Sequence, residues 1–263
     1  MFYHNIDPVL LGIGIFQIRY YGLFYAAGFL MLYYLMPYLA KIKGIKFTKD
    51  DAADFLVYAI IGVVAGARAG YILFYNLPFY LQNPLDILAV WNGGLSFHGG
   101  IIGLAVSTWI FCREKKINFF DLADIIVVPA ALALALGRMG NFMNAELFGR
   151  ITDVSWCIDY SKNVFVQGLP EGCRHPSQIY ASLKNLVIFG VLWRIKDRKL
   201  PSGFMFWTFV ALYGLLRTFI EFFRQPDEQV GFIFQYFTMG QLLSFPLFLI
   251  GIYMLYRLKN KFQ

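Results

Sequence analysis

The stretch ALALALGRMGNFMNAELFGR, residues 131–150, changes from wholly apolar to densely polar within a few positions. Its first six residues suit the interior of a hydrophobic helix. The next fourteen contain two arginines, two asparagines, one glutamate and three glycines. Buried polar groups are costly unless they find hydrogen-bonding partners. The stretch therefore predicts an apolar helix that carries a functional polar cluster at its end.

The amino-acid composition is that of a membrane protein. Hydrophobic residues make up 59% of the 263 positions, charged residues only 15%, and the mean hydropathy is +0.57. A typical soluble domain carries about 25% charged residues, and its core could not bury so much apolar surface. We therefore expect an all-α integral membrane protein with a single polytopic domain over residues 1–263.

Apolar stretches of about 20 residues, the length that crosses a bilayer as a helix, recur along the chain. They predict about seven transmembrane helices, near residues 20–40, 53–75, 94–112, 121–141, 177–195, 203–223 and 239–257. Lysine and arginine collect in alternate connections, as the positive-inside rule requires of the cytoplasmic side. Fourteen follow the odd-numbered helices, namely Lys41, Lys43, Lys46, Lys49, Arg113, Lys115, Lys116, Arg194, Lys196, Arg198, Lys199, Arg257, Lys259 and Lys261. The opposite side holds five, namely Arg19, Arg150, Lys162, Arg174 and Arg224.

This distribution places the N-terminus outside and the C-terminus in the cytoplasm, with a sizeable external loop at about residues 142–176. The net charge of +7 then reports membrane orientation, so no nucleic-acid partner is expected. Cys157 and Cys173 lie in the external loop, where a disulfide and two free thiols fit the sequence equally well. The three histidines are far apart in the sequence, so no metal site is expected.

Polar and ionisable side chains inside a bilayer usually mark function, because a charge at the centre of a helix costs about 2.5–3.5 kcal/mol. In the predicted topology most of these side chains fall in the outer halves of the helices. They are Arg68, His98, Arg138, Asn141, Asn144, Glu146, Arg217 and Glu221, with Tyr20 and Tyr21 at the start of the first helix. Lys184 lies deeper, near the middle of the fifth helix.

Some of these residues also have a purely structural interpretation. Arg68 fits interfacial snorkelling or structural pairing as well as function, and His98 fits a hydrogen-bonded structural histidine as well as a catalytic one. Arg138 and Arg217 are better functional candidates, because their neighbours are polar and rich in glycine.

The spacing of Tyr213, Arg217 and Glu221 by four residues puts them on one helix face, where Glu221 can neutralise Arg217. Two guanidinium groups, a histidine and amides at the level of the outer leaflet are groups that recognise phosphate. The phosphates at that depth belong to phospholipid head groups. The residues alone therefore predict an enzyme or a transporter that acts on a phospholipid from the outer leaflet.

The stretch GRMGNFMNAELFG at 137–149 resembles the signature of the prolipoprotein diacylglyceryl transferase family, Gly-Arg-x-Gly-Asn-Phe-x-Asn-x-Glu-x-x-Gly. Further pieces stand in the family's order along nearly the whole chain. They are DP at 7–8, YYGLFY at 20–25, GARAGYILFYN at 66–76, WNGGLSFHGGIIG at 91–103, RHPSQIY at 174–180, RTFIEFFRQPDEQ at 217–229 and MGQLLS at 239–244. The chain departs from the family pattern at Tyr20, where relatives often carry tryptophan, at Ala181, where a glutamate is expected, and at Lys184.

The resemblance implies transfer of the diacylglyceryl group of phosphatidylglycerol to the lipobox cysteine thiol of a preprolipoprotein signal peptide, with release of glycerol phosphate. It implies a multi-pass protein of the bacterial cytoplasmic (inner) membrane that uses no cofactor or metal. The alternative is a phospholipid or anion transporter with an outer-leaflet phosphate site. A transporter needs polar residues across the whole membrane, whereas the inner halves of the predicted helices are nearly all apolar.

For the site, the resemblance implies that His98 is the base and that Arg138 and Arg217 stabilise the leaving phosphate. The remaining predicted site residues bind or orient the substrate, and they are Tyr21, Asn141, Glu146, Gly149, Tyr213 and Glu221. Within this set the two glutamates fix the arginines and the glycine permits a tight turn. His98 has a second interpretation, in which it positions the substrate while the arginines lower the thiol pKa.

Overall fold

A computed structural model describes residues 1–14, 16–226, 231–233 and 236–260. Most of these residues are helical. The α-helices are α1 (Tyr20–Lys43), α2 (Lys49–Tyr75), α3 (Leu77–Gln82), α4 (Phe97–Lys115), α5 (Phe119–Met143), α6 (Ser177–Ile195), α7 (Phe204–Ile220) and α8 (Met239–Asn260). Two short 3₁₀ helices, Pro84–Leu88 and Val90–Asn92, connect α3 to α4.

The described chain also contains short strands, which an all-α prediction did not include. The strands are β1 (Phe2–Tyr3), β2 (Val9–Ile13), β3 (Phe16–Arg19), β4 (Ile158–Asp159), β5 (Cys173–Arg174), β6 (Phe232–Ile233) and β7 (Phe237–Thr238). Strand β4 pairs in parallel with β1 and antiparallel with β5, while β2 pairs with β3 and β6 with β7 in antiparallel ribbons. All of these strands lie outside the helices and are short, and most of the described residues are helical.

Four helices of the described chain, α1, α2, α5 and α8, are long and apolar enough to cross a membrane. Helix α7 is also apolar but has only 17 residues. These five helices confirm a helical membrane protein. Helices α4 and α6 form where two further crossings are predicted, but their polar and small side chains leave them outside this set. The number of seven crossings and the orientation stay predictions.

The chain divides into two compact units, one of residues 1–35 and 123–263 and one of residues 36–122, and each is described by itself. In the unit of residues 36–122, α2 and α4 pack with their backbones in direct contact. A Cβ atom added at Gly66 would lie 2.5 Å from the carbonyl oxygen of Gly99 and 2.6 Å from the Cα atom of Gly103. The glycines repeat every four residues on one face of α2, which is the pattern that permits close helix packing in membranes.

In the unit of residues 1–35 and 123–263, a buried carboxylate fixes the beginning of α7. Asp124 of α5 accepts hydrogen bonds from the backbone N–H of Gly203, at 2.9 Å, and of Phe206, at 2.7 Å. A carboxylate at this position satisfies free N–H groups of the first turn and interacts favourably with the helix dipole. Helix α7 then packs on α8, where a Cβ atom at Gly214 would lie 2.6 Å from the carbonyl oxygen of Ser244.

The packing of α2 on α4 predicts a large effect from one methyl group. Gly66→Ala should lower the free energy of unfolding by about 1–3 kcal/mol, because the backbones must separate to admit it. Thermal unfolding in detergent measures the change. Gly190→Ala in α6 is the matched control, since its Cβ atom meets nothing within 4 Å. Equal melting temperatures for the two variants would contradict the packing argument.

Candidate active site

The polar end of α5 forms a hydrogen-bonded chain that runs from Arg138 to Glu146. A guanidinium nitrogen of Arg138 donates to the side-chain oxygen of Asn141 at 3.4 Å. The amide nitrogen of Asn141 donates to the carboxylate of Glu146 at 2.8 Å, and that of Asn144 donates to the same oxygen at 3.4 Å. Glu146 therefore orients Asn141, and Asn141 in turn orients Arg138.

The backbone around Glu146 is held in an unusual conformation. Ala145 and Leu147, its two neighbours, have φ angles of 53° and 56°. Residues other than glycine rarely adopt this left-handed region, and such positions cluster at functional sites. The beginning of α6 holds the turn, because Gln178 donates to the carbonyl of Glu146 at 2.7 Å and Ser177 to that of Leu147 at 2.9 Å.

Gln178 and Ser177 hold this turn in place, and the sequence analysis did not identify them as site residues. The only sequence signal for them is the family piece RHPSQIY, in which both occur. Tyr160 extends the network, since its hydroxyl donates to the Gln178 side chain at 3.2 Å. Burial raises the pKa of Tyr160, so this hydroxyl remains a donor at physiological pH.

Tyr21, near the beginning of α1, lies beside the Arg138–Glu146 chain. Its ring packs against Gly140, where a Cβ atom would come within 2.7 Å of a ring carbon. The Tyr21 side chain hydrogen-bonds with Asn141, and its hydroxyl is 3.1 Å from that of Tyr25. The structure thus brings together four of the predicted site residues, Tyr21, Arg138, Asn141 and Glu146.

The end of α7 carries a buried ion pair. Glu221 is only 2% exposed, and one carboxylate oxygen lies 2.7 Å from a guanidinium nitrogen of Arg217 one turn earlier. The other oxygen is 3.7 Å from Arg224. The carboxylate touches the backbone of Gly240 at the start of α8, where a Cβ atom would lie 2.6 Å from it. The predicted pairing of Arg217 with Glu221 is confirmed.

Lys184 of α6 joins these groups, although it was not among the predicted site residues. Its side chain is buried, and the ammonium nitrogen lies 3.5 Å from the centre of the Tyr213 ring. Lys184 interacts electrostatically with both Arg138 and Arg217, and the two arginines interact with each other. Three basic side chains from α5, α6 and α7 therefore share one region of this unit.

A crossing of three backbone segments ties the helix ends together at Gly149. The N–H of Gly149 donates to the carbonyl of His175, and the N–H of Arg150 to that of Phe223, both at 2.9 Å. A Cβ atom at Gly149 would lie 2.5 Å from both of these carbonyl oxygens. Gly149 is thus needed for the close approach of two other segments, whereas the left-handed turn lies at Ala145 and Leu147.

The loop between α5 and α6 is further fixed by a disulfide between Cys157 and Cys173, whose Cα atoms are 5.5 Å apart. The sequence left this pairing open. Arg174 donates to the carbonyl of Gly149 at 3.2 Å. Burial lowers the pKa of Arg174 and of the neighbouring His175.

In the unit of residues 36–122, His98 occupies the first turn of α4. Its side chain is exposed and lines a groove of about 810 Å³ between α2 and α4. Arg68 of the same unit has a structural role. Its guanidinium donates to the carbonyls of Ile87, Gly93, Gly94, Asp86 and Ala89, and it also lies over the ring of Tyr80. Arg68 thus holds the α3–α4 connection in place.

Within the described ranges, no group of three or more His, Cys, Asp and Glu side chains is arranged to hold a metal ion. The predicted site piece at 217–229 is described only as far as residue 226, so Asp227, Glu228 and Gln229 lie outside the described residues.

The fold and this cluster define a class: a helical membrane protein with buried guanidinium groups oriented by carboxylates and amides. The family model described as prolipoprotein diacylglyceryl transferase matches residues 8–257. The chain belongs to this family, which confirms the resemblance found in the sequence.

Three relatives named phosphatidylglycerol–prolipoprotein diacylglyceryl transferase illustrate the extent of the similarity. The protein of Geobacter sulfurreducens is 48% identical over 255 residues, which cover 97% of this chain and 96% of the relative. That of Nitratidesulfovibrio vulgaris strain DP4 is 42% identical, covering 95% of this chain and 94% of the relative. That of Vibrio parahaemolyticus is 43% identical, covering 95% and 90%.

His4 predicts a pH dependence of stability. Its buried ring makes a hydrogen bond at each nitrogen. Nε2 lies 2.8 Å from the carbonyl oxygen of Phe142, and Nδ1 lies 2.9 Å from the amide nitrogen of Asn163. The carbonyl requires N–H at Nε2 and the amide requires an acceptor at Nδ1, so the ring is neutral. Burial lowers the His4 pKa below its ordinary value of 6.5. Its stabilising contribution is therefore complete above pH 6.5 and is lost as the pH falls toward the folded-state pKa.

The measurement is the melting temperature of the wild type and of His4→Gln between pH 8 and pH 5. The wild type should lose stability below pH 6.5 more steeply than the variant, by at most about 1.4 kcal/mol per pH unit for one proton. The variant retains His98 and His175, so only the titration of His4 is removed. Parallel pH profiles would show that His4 does not contribute.

Proposed function

We propose that the protein transfers the diacylglyceryl group of phosphatidylglycerol to the thiol of the lipobox cysteine in preprolipoprotein signal peptides. Membership of the prolipoprotein diacylglyceryl transferase family supports this activity. The observation that carries the site assignment is that Arg138 and Arg217, from α5 and α7, interact with each other while each is linked to its own glutamate. Two guanidiniums so placed suit a lipid phosphate.

The proposed reaction is a displacement at the carbon of the diacylglyceryl group to which the phosphate is attached. The cysteine sulfur forms a thioether bond to this carbon, and the bond from carbon to phosphate oxygen breaks. The electron pair stays on that oxygen, so glycerol phosphate leaves with added negative charge, and the thiol proton passes to a base. The step is neither an oxidation nor a reduction, and we propose it without a cofactor or metal.

Arg138 and Arg217 stabilise the charge that develops on the departing phosphate. Such stabilisation is strongest where the donors are already oriented and water is excluded. Burial of Glu221 and the 2.7 Å contact with Arg217 support this role. Glu146 acts in the same way on Arg138, through Asn141.

The other predicted residues orient the lipid. Asn141 and Tyr21 are adjacent to Arg138 and present an amide and a hydroxyl to the glycerol head group. Tyr213, one turn earlier in α7, interacts with Arg217 and supports it. Gly149 lets the surrounding segments close around the end of α5.

We propose His98 as the base that accepts the thiol proton. A free thiol has a pKa of about 8.5 and an imidazole one of about 6.5, so the pair can exchange a proton near neutral pH. Its exposed side chain in the groove between α2 and α4 supports access by a substrate. In the second interpretation His98 only positions the substrate.

We also propose a single polytopic domain with seven crossings in the bacterial inner membrane, with the N-terminus outside and the C-terminus in the cytoplasm. The concentration of lysine and arginine after the odd-numbered helices supports this orientation. The disulfide between Cys157 and Cys173 supports an external position for the loop at about 142–176, because disulfides persist in oxidising compartments. A phospholipid or anion transporter is not favoured, since the family is one of transferases.

The arginine assignment predicts loss of transfer in single variants. Purified protein, phosphatidylglycerol and a synthetic lipobox peptide should give a peptide whose mass increases by one diacylglyceryl group, and a Cys→Ser peptide should give none. Arg138→Ala and Arg217→Ala should each reduce the rate by about 100-fold or more, because transition-state charge loses a donor. Arg198→Ala, at an exposed position after α6, is the control. Retained activity in either site variant would refute the phosphate role.

The base assignment predicts a change in the pH profile. The wild-type kcat/KM should show an acidic limb, because a protonated base cannot accept the thiol proton. His98→Asn should be slower by about a hundredfold and should lack this acidic limb. A slow variant that keeps the limb would support the positioning role instead, and an unaffected rate would remove His98 from the mechanism.

A further inference from the structure

Lys184 carries a buried amino group that the reaction described above does not use. Its side chain is 6% exposed, and it lies in α6 seven residues beyond Ser177, about 10 Å along the helix. The aromatic ring of Tyr213 is its one described partner of favourable sign. The charged groups that act on it are Arg217 and Arg138, and both repel it.

An amino group placed in this way has N–H donors that require an acceptor. Removing a charge from water is costly unless the charge is paired and hydrogen-bonded, and a cation–π contact satisfies only part of that need. Among the described residues, none accepts a hydrogen bond from the Lys184 side chain, and no carboxylate contacts it. An oxygen acceptor on a bound molecule would supply the partner that these residues do not.

The position of Lys184 indicates which oxygen this is. Contact with Tyr213 places the Lys184 amino group one helical turn, about 6 Å, before Arg217 on α7 and farther from the polar helix end at Glu221. A phosphate held between Arg138 and Arg217 would lie nearer that end. The next acceptors of a glycerolipid, a few bonds from the phosphate toward the acyl chains, are the ester carbonyl oxygens.

We propose that Lys184 donates a hydrogen bond to an ester carbonyl of the lipid and so makes the site selective for diester glycerolipids. This inference rests on the proposed transferase activity and adds a specificity-determining residue to the same site. The ring of Tyr213 fixes the position of the Lys184 amino group, which lies 3.5 Å from the ring centre.

The test uses two lipids with equal chain lengths, diacyl phosphatidylglycerol and its dialkyl ether analogue, which has no carbonyls. The enzymes are the wild type, Lys184→Met, and Leu183→Met as a control at an exposed position of the same helix. The wild type should prefer the diester lipid by about tenfold in kcat/KM, as expected for one hydrogen bond. Lys184→Met should lose that factor on the diester lipid alone, so that its preference falls to about one.

Three results would overturn the inference. Equal wild-type rates on the two lipids would show that no carbonyl is recognised. An equal loss on both lipids in Lys184→Met would place Lys184 at the phosphate or, with a lowered melting temperature, in a structural role. A diester preference that survives in Lys184→Met would arise elsewhere. Failure of the wild type to modify the peptide with either lipid would refute the proposed function itself, which separates the two tests.

Discussion

Glu221 is almost completely buried, and its negative charge must be compensated by groups that lie against it. Arg217, four residues before Glu221, and Arg224, three residues after it, supply that compensation. Arg150, in the loop after α5, reaches the backbone carbonyl of Glu221. Helix α8 can begin beside the carboxylate because residue 240 is glycine. The ends of α5, α7 and α8 are therefore arranged by the requirement to bury one carboxylate without leaving it uncompensated.

The helical parts of this fold were accessible to sequence reasoning because a membrane imposes a length and a polarity on each crossing. Helix α6 occupies residues 177–195, as predicted, and α5 extends two residues beyond each end of the predicted 121–141. The polar cluster after ALALAL was also recognisable, because charged groups rarely follow so apolar a run without a function. The i to i+4 spacing identified the ion pair of Arg217 with Glu221.

Other features depend on contacts between segments far apart in the sequence, and no local pattern reports them. Strands of two residues, such as β1 and β4, are shorter than any alternation that could reveal them. Ala145 and Leu147 are ordinary residues in an unusual conformation, imposed by hydrogen bonds from the beginning of α6 to this turn. Lys184 was noticed as a costly residue, but its proximity to the two arginines follows from the packing of three helices.

Helices α5 and α7 are connected at both of their ends. Asp124 binds the first turn of α7, and the segment after α5 pairs with the segment after α7 through Arg150 and Phe223. Because α5 and α7 are connected at both ends, neither helix can tilt away from the other without breaking these hydrogen bonds. These connections fix the separation of the helices that carry Arg138 and Arg217. Lipid entry and product exit then depend on parts of the molecule outside α5 and α7.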